Sequence, residues 1–366
     1  MAKLWEDEIF GKVRKEDWLE IGSQLPARPN DPMDTLFGDE KTDNIVARWE
    51  TIAAEYQLPV MAQFHGFDTE AQTTFRKPID NHNIEKGLIK VKINQSERLR
   101  TLMRSGVQGD QKLYDYVMKD GFNLADQVVT RTKVAKAELM ATGKVTIKEN
   151  NLDLTVDYGV PQNHTDFTLD FSKNAQKDIP SQIQDIYDFA TEKGLSINGF
   201  VASTKMLTKL RKDASLQKLI KGNVGEGTLL RKAELEAFLS DEWGFNQIIT
   251  DDLKYVASWH IDKTTGRPVT TAKRYFPENK ISFFVTNPGG KMGIGLWGDS
   301  PETDAASFHK VGNSEVSPYV SIMQWMTEDP SVLWTKASAL FIPALYNPES
   351  LLIATETDGA TEDTGA

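Results

Sequence analysis

The stretch QKLYDYVMKDGFNLADQVVTRTKVAKAELMATGKVTIKENNLDLTVDY, Gln111 to Tyr158, decides how the chain is read. Leu113, Val117, Leu124, Val128, Ala135 and Leu139 recur at steps of four and seven, which puts them on one face of an α-helix. Lys112, Asp115, Lys119, Asp126, Arg131 and Lys136 take the other faces, where water solvates them. Gly121 costs about 1 kcal/mol relative to Ala inside the helix. Gly143 stands where a left-handed cap ends it. The period then falls to two. Val145 and Ile147 lead into a turn at Lys148 to Asn151. Leu152, Leu154, Val156 and Tyr158 then alternate with Asp153, Thr155 and Asp157. This predicts a hairpin with one buried face. A long helix feeding a hairpin is a scaffold, and it carries no visible chemistry.

Upstream, residues 1–25 place Leu4, Trp5, Ile9, Phe10, Val13, Trp18 and Leu19 among many charges, a short helix without a core of its own. Pro26, Pro29 and Pro32 mark an extended linker, because each fixes φ and removes a donor. Asn44 suits a helix N-cap, so a helix carrying Ile45, Trp49, Ile52, Ala53 and Tyr56 is expected. Residues 1–57 then form an arm with aromatic anchors, or a small helical subdomain. Within 58–93, Val60, Ala62 and Phe64 alternate, and Leu88, Ile89, Val91 and Ile93 do so less strictly. Between them lie His65 to Asp68 and a polar stretch with Phe67, Phe75, Arg76, Lys77 and Pro78. Two strands separated by so long a loop imply disorder or a contact made with another molecule.

Downstream of a linker at Gly159 to Asp166, a second module mixes helices and strands. Ile179, Ile183, Ile186 and Ala190 make a helix face stopped by Gly194. Asn198 to Ala202 reads as a buried strand, and Ser203 caps a helix with Met206, Leu207 and Leu210. Short helices end at Gly222 and Gly244. Strands are expected at 245–249, 254–261, 272–276, 281–286 and 292–297, the last pairing with its upstream neighbour across Asn287-Pro288-Gly289-Gly290. Tyr319 to Trp325, Leu333 to Leu345 and Pro348 to Ala354 are apolar closing segments, and Thr355 to Ala366 has a disordered composition. The irregular alternation points to an α+β fold rather than a doubly wound sheet.

Composition excludes several functions. The 366 residues suffice for two compact domains, or one with long insertions. Cysteine is absent, which removes disulfides, thiolate catalysis and sulfur-ligated zinc. The net charge of −11 disfavours non-specific DNA binding. No apolar run reaches membrane-spanning length, and the acidic N-terminus lacks a signal core. Gly293-Ile-Gly-Leu-Trp-Gly298 matches the dinucleotide motif in letters, but no helix pattern follows to present amides to a pyrophosphate. Gly222 to Gly227 lacks the Lys-Ser/Thr of a phosphate loop. The five histidines form no ligand pair, and no serine sits in a nucleophile elbow. Asp251-Asp252, and Asp299 with Glu302 and Asp304, read as solvated acidic turns rather than calcium ligands. A structural or binding protein is expected, with no cofactor, no metal and no catalytic residue. A hydrolase with carboxylates drawn from distant loops is the enzyme alternative.

The order of elements is arm, loop, long helix, hairpin, mixed module and closing strands. It resembles the Hong Kong 97-type fold of tailed-bacteriophage major capsid proteins, and more closely the phage lambda major head protein family. The likeness is carried by Leu139 to Ile147 with Leu152 to Gly159, by Gly199 to Leu207 with Leu210 and Leu219, and by Tyr275 to Val285. Glu328-Asp329-Pro330, Ala337 to Leu345, Asn347-Pro348-Glu349 and Leu351 to Ala354 complete it.

The resemblance implies a shell subunit located in the virion and assembled in the bacterial host cytoplasm. Residues 1–57 would be the N-terminal arm and 58–93 the extended loop. Residues 94–165 with 315–355 would form the peripheral domain around a spine helix at about 111–142. Residues 166–314 would be the axial domain and 356–366 an acidic tail. Identical copies would meet in pentamers and hexamers, joined by a scaffolding protein, a portal and a decoration protein. DNA would be enclosed without sequence-specific binding. Phe64, Phe67, Phe75, Arg76 and Lys77 in the loop, and Lys119 and Arg131 on the helix, are the implied subunit contacts. Lys77 or Lys86 could serve in a Lys–Asn crosslink of the kind some members of the fold make. An encapsulin-like cage holding cargo is the alternative within the same fold.

Overall fold

The structure, a computed structural model, describes residues 31–42, 44–51, 61, 76, 80–104, 109–149, 152–172, 175–222, 227–301, 309–314, 317–327 and 329–357. The chain opens with β1 (Phe37–Lys41), β2 (Val46–Thr51), β3 (Asp80–Glu85) and β4 (Gly87–Gln95). Helix α1 (Glu97–Arg104) and the long helix α2 (Gly109–Thr142) follow, then β5 (Lys144–Glu149) and β6 (Leu152–Asp157). Next come α3 (Gln162–Thr165), β7 (Phe167–Asp170), α4 (Ile179–Glu192), β8 (Gly199–Ala202), α5 (Thr204–Lys212), α6 (Ala214–Lys221) and α7 (Lys232–Trp243). The remainder is strand: β9 (Gln247–Thr250), β10 (Lys254–Ile261), β11 (Pro268–Arg274), β12 (Lys280–Phe284) and β13 (Gly293–Gly298). Last are β14 (His309–Ser314), β15 (Ser317–Thr327), β16 (Val332–Leu345) and β17 (Leu351–Thr357).

Two sheets organise these elements. One runs β1-β13-β16-β15-β14, with β4 also on β16, and the other runs β7-β17-β12-β8-β9. Helices α4 to α7 cover one face of the second sheet. There Ile183, Ile186, Leu207, Leu210, Leu235 and Leu239 pack on Phe200, Ile281, Phe283 and Leu352. The opposite face of that sheet presents Val201, Phe284, Leu351 and Ile353 to the core built around α2 and the first sheet. Neighbouring residues of β12 and β17 therefore serve different cores, as a period of two requires. Phe283 and Phe284 are both at most 1% exposed, and each burial contributes about 2–3 kcal/mol.

Helix α2 spans 34 residues, about 50 Å at the α-helical rise. Leu124, Val128, Ala135 and Leu139 are buried as their spacing demands. Towards the C-terminus burial widens to Ala137, Met140 and Ala141. The last turn leaves carbonyls without intrahelical partners. Two are satisfied by the second sheet: Ser282 Oγ donates to Met140 O at 2.7 Å, and Lys280 Nζ donates to Ala141 O at 2.8 Å. A cation there also complements the helix dipole. Gly143 ends the helix at φ 70°, and a Cβ there would lie 2.8 Å from Val160.

Several expectations are corrected. Residues 46–51 form a strand paired antiparallel with β3, not a helix capped by Asn44; β-branched and aromatic residues accept a pleated partner when one is offered. Ile52 to Tyr56 lie outside the described residues, as do Leu4 to Leu19 and, apart from the exposed Met61, the strand expected at 60–64. Strand β13 does not pair with β12 across the Pro-Gly-Gly turn. It joins β16 antiparallel and β1 parallel, in the other sheet. The sheets thus divide the chain differently from the expected boundaries at 93 and 314. β4 and β13 belong with β15 and β16, and β17 belongs with β12. Residues 356 and 357 do not belong to a disordered tail, because β17 continues to Thr357 and Glu356 pairs with Lys209; residues 358–366 lie outside the described residues. Only the base of the β5–β6 hairpin is buried, at Val145 and Val156; Leu152 and Leu154 are exposed.

The glycines of β13 fill a crowded place. A Cβ on Gly293 would lie 2.3 Å from Ala344 O and 2.6 Å from the Phe37 ring. Gly293→Ala should destabilise the chain by about 2–4 kcal/mol, seen as a lower urea midpoint with an unchanged slope.

Candidate functional site

The N-terminal strand is held to the body by two buried lysines. Lys136 on α2, 2% exposed, was expected in water. Its ammonium instead lies 3.1 Å from Asp39 and 3.2 Å from Asp34. Asp39 Oδ1 also accepts from Trp297 Nε1 at 2.9 Å. Gly295 makes room for this cluster: a Cβ there would lie 2.4 Å from Asp39 Oδ1 and 3.3 Å from Lys136 Cε. Lys86, 3% exposed, donates to Thr42 O at 2.8 Å and to Trp297 O at 2.9 Å. Its stem passes Gly298, where a Cβ would meet Lys86 Nζ at 3.0 Å. Met33, Leu36 and Phe37 add apolar anchors in the same core. The three glycines that spell a nucleotide motif are therefore spacers for Phe37, Asp39 with Lys136, and Lys86.

This placement corrects the reading of Lys86 as a crosslinking residue. Its ammonium is directed inward and engaged by backbone carbonyls. Lys77 lies outside the described residues, as do Phe64, Phe67 and Phe75; Arg76 is described and exposed. Lys119 is exposed on α2. Arg131 is half-buried, with Nε 3.1 Å from Glu149 Oε1 on β5. Twelve positions of helix, about 18 Å of rise, separate the two, so they belong to different parts of the surface. Arg131 lines a groove of about 830 Å³ between α2, β5 and β10, whose walls include Lys133, Glu138, Tyr255 and Trp259.

Two residues before Leu253, which lines the groove, comes a carboxylate that sequence reasoning left in solvent. Asp251, 1% exposed, accepts from Leu253 N at 3.0 Å through Oδ1. Its Oδ2 has no partner among the described residues. Burial pushes its carboxyl up to about 6, helped by the charges of Asp31 and Asp252 and opposed by the Leu253 amide and Arg274. Asp31 is also raised by burial, although the Met33 amide and Lys133 oppose the shift. No group of three or more metal-ligating side chains exists among the described residues. No described helix is long and apolar enough to cross a membrane. The groove holds cations and carboxylates but no nucleophile–base pair.

A long helix laid on a sheet of antiparallel closing strands, beside a second sheet with its own helical layer, is the architecture of Hong Kong 97-type capsid subunits. The profile of the family described as phage major capsid protein E matches residues 57–356, and the chain belongs to that family. Its fold is shared with a prophage protein of Escherichia coli CFT073 assigned as the capsid protein. The two are 13% identical at a TM-score of 0.55, over 93% of this chain and 98% of that one. A phage-related protein of Bordetella bronchiseptica RB50 is 10% identical at a TM-score of 0.52, over 93% and 96%. No curated protein is similar to the chain in sequence. The chain is a structural subunit of a bacteriophage capsid, a component of the virion, and not an enzyme. As a capsid protein it assembles into an icosahedral shell.

Two outcomes follow from the buried charges. Asp39→Ala leaves the Lys136 ammonium with only the half-exposed Asp34, and should cost about 2–4 kcal/mol. Lys136→Met leaves carboxylates that water can reach, and should cost less; urea denaturation of the two variants tests the order. For Asp251 the folded carboxyl binds its proton more tightly than the unfolded one. Its contribution to stability is therefore greatest below about pH 4 and is lost as pH rises through about 6. Asp251→Asn should raise stability at pH 7 by about 1–2 kcal/mol and flatten the pH dependence of the melting temperature between 4 and 6.

Proposed function

We propose that copies of this chain close into pentamers and hexamers. The unit of α2 and the six-stranded sheet would be peripheral, and the five-stranded sheet with α4 to α7 axial. The observation that carries this reading is the division of the chain into two cores on opposite faces of the five-stranded sheet, which is also tied to the last turn of α2 through Ser282 and Lys280. A subunit so joined can transmit a contact on one unit to the other as a nearly rigid body. Strands β2 and β3 pair only with each other among the described residues. This supports the part of the expected extended loop at 58–93 that precedes β3, with Arg76 and the aromatic positions 64, 67 and 75, as a subunit contact. A scaffolding protein, a portal and a decoration protein are the further partners, and assembly takes place in the bacterial cytoplasm. The net charge of −11 suits a wall that encloses DNA rather than reads it.

Electron microscopy of the purified chain, with and without its scaffold, should show rings of five and six or closed shells. A chain that stays monomeric at every concentration overturns the reading. Lys119→Glu should leave the melting temperature unchanged and reduce assembly measured by light scattering. Arg131→Glu is the poorer probe, because it also sets two carboxylates against each other at the turn end of the β5–β6 hairpin, where Glu149 stands opposite Leu152.

A further inference from the structure

The β10–β11 hairpin stands apart from both main sheets, and its two strands pair only with each other among the described residues. The ladder runs from Lys254↔Arg274 to Ile261↔Pro268, with one extra residue, Ala257, between Val256 and Ser258. Such a bulge shifts the alternation of the strand by one. Val256 thereby joins Trp259 and Ile261 on the same face, alongside their cross-strand partners Ala272, Thr270 and Pro268. Those three apolar side chains are 54%, 67% and 51% exposed. A lone two-stranded hairpin is marginal in water without something packed on its face, and a contiguous exposed apolar strip marks an interaction site.

The hairpin is nevertheless built to keep its shape. At the tip, Asp262 accepts from Thr264 N and Thr265 Oγ1, both at 2.8 Å, and Gly266 donates to Asp262 O at 2.8 Å. At the base, the Tyr255 and Tyr275 rings lie 5.1 Å apart, and Arg274 pairs with Asp252 and Glu278. Residues 254–274 carry five cations, Lys254, Lys263, Arg267, Lys273 and Arg274, against one carboxylate, Asp262. The segment is thus +4 in a chain of −11, which leaves −15 on the rest. An apolar strip flanked by cations at tip and base has the layout of an interface core with a charged rim.

We infer that the apolar face of the β10–β11 hairpin docks on the acidic surface of a second copy of this chain, as a head-to-tail contact between neighbouring subunits. The occupant follows from charge complementarity: a +4 arm on a −15 body is attracted to every other copy of that body. It follows also from the shell reading, on which this inference rests, since a ring closes only through two different patches on each subunit.

The test uses the full chain. Trp259→Ser and the double variant Lys263→Glu, Arg267→Glu change exposed side chains, so circular dichroism and the melting temperature should match wild type. Each should raise the protein concentration needed for assembly by about tenfold or more, read by light scattering and electron microscopy. Because the chain contains no cysteine, Thr264→Cys carrying a photo-crosslinker should give a covalent dimer whose second peptide maps to an acidic surface. Wild-type shells that form at the same concentration as both variants overturn the hairpin contact and leave the shell reading standing. A wild-type chain that never assembles overturns both. Loss of DNA retention by the double variant, with assembly unchanged, assigns the hairpin to nucleic acid and overturns the inference.

Discussion

A lysine ammonium cannot be left in an apolar core without a counter-charge, and Lys136 sits in one. The cost of that burial would be several kcal/mol; Asp34 and Asp39 offset it. They lie 102 and 97 residues earlier in the chain. The ion pair therefore does more than neutralise charge. It sets where β1 lies on β13, requires a glycine at 295, and orients Trp297 through Asp39. Lys86 repeats the device one strand over, with carbonyls in place of carboxylates. Strand order at this edge of the sheet is dictated by where two cations find partners.

The second joint is the end of α2. A helix of this length accumulates a dipole and exposes carbonyls at its last turn. Here they are bound by side chains of β12, a strand whose other face packs on a separate core. The two cores are coupled at the place where the helix would otherwise be least stable. In a shell subunit this matters because contacts are made far apart on the surface, and load must pass between them through packed structure. Elsewhere in the fold, Asp251 and Asp31 are held above the ordinary carboxylate range by burial. The folded chain thus becomes less stable as those groups ionise.

Most regular elements were legible because local signals agreed. The spacing of apolar residues in α2, the stops at Gly143, Gly194 and Gly244, and the cap at Ser203 all act within a few residues of themselves. All reappear in the structure. The segment at 46–51 was misread because alternate polar and apolar residues around Asn44 suit either period, and only β3 decides between them. Lys136 was misread because a charged residue among alanines looks solvated until Asp39 is brought to it. The contact residues divide in the same way. Lys119 is exposed, as its place on the polar face implied. Arg131 is drawn into a pair with Glu149, a residue of the following hairpin. The exposed strip on β10 escaped notice because a single bulge at Ala257 moves Val256 to the other face.

The amino-acid sequence by itself determined an α+β chain whose order of elements resembles that of a capsid subunit. Element order, the long helix and the hairpin after it are properties of residues close in the chain, and propensity and periodicity act at that range. Only the tertiary structure decided which sheet each strand joins, why β13 needs three glycines, and which lysines are buried. Strand pairing and charge burial depend on partners tens to hundreds of residues away, and no local pattern encodes the identity of a distant partner.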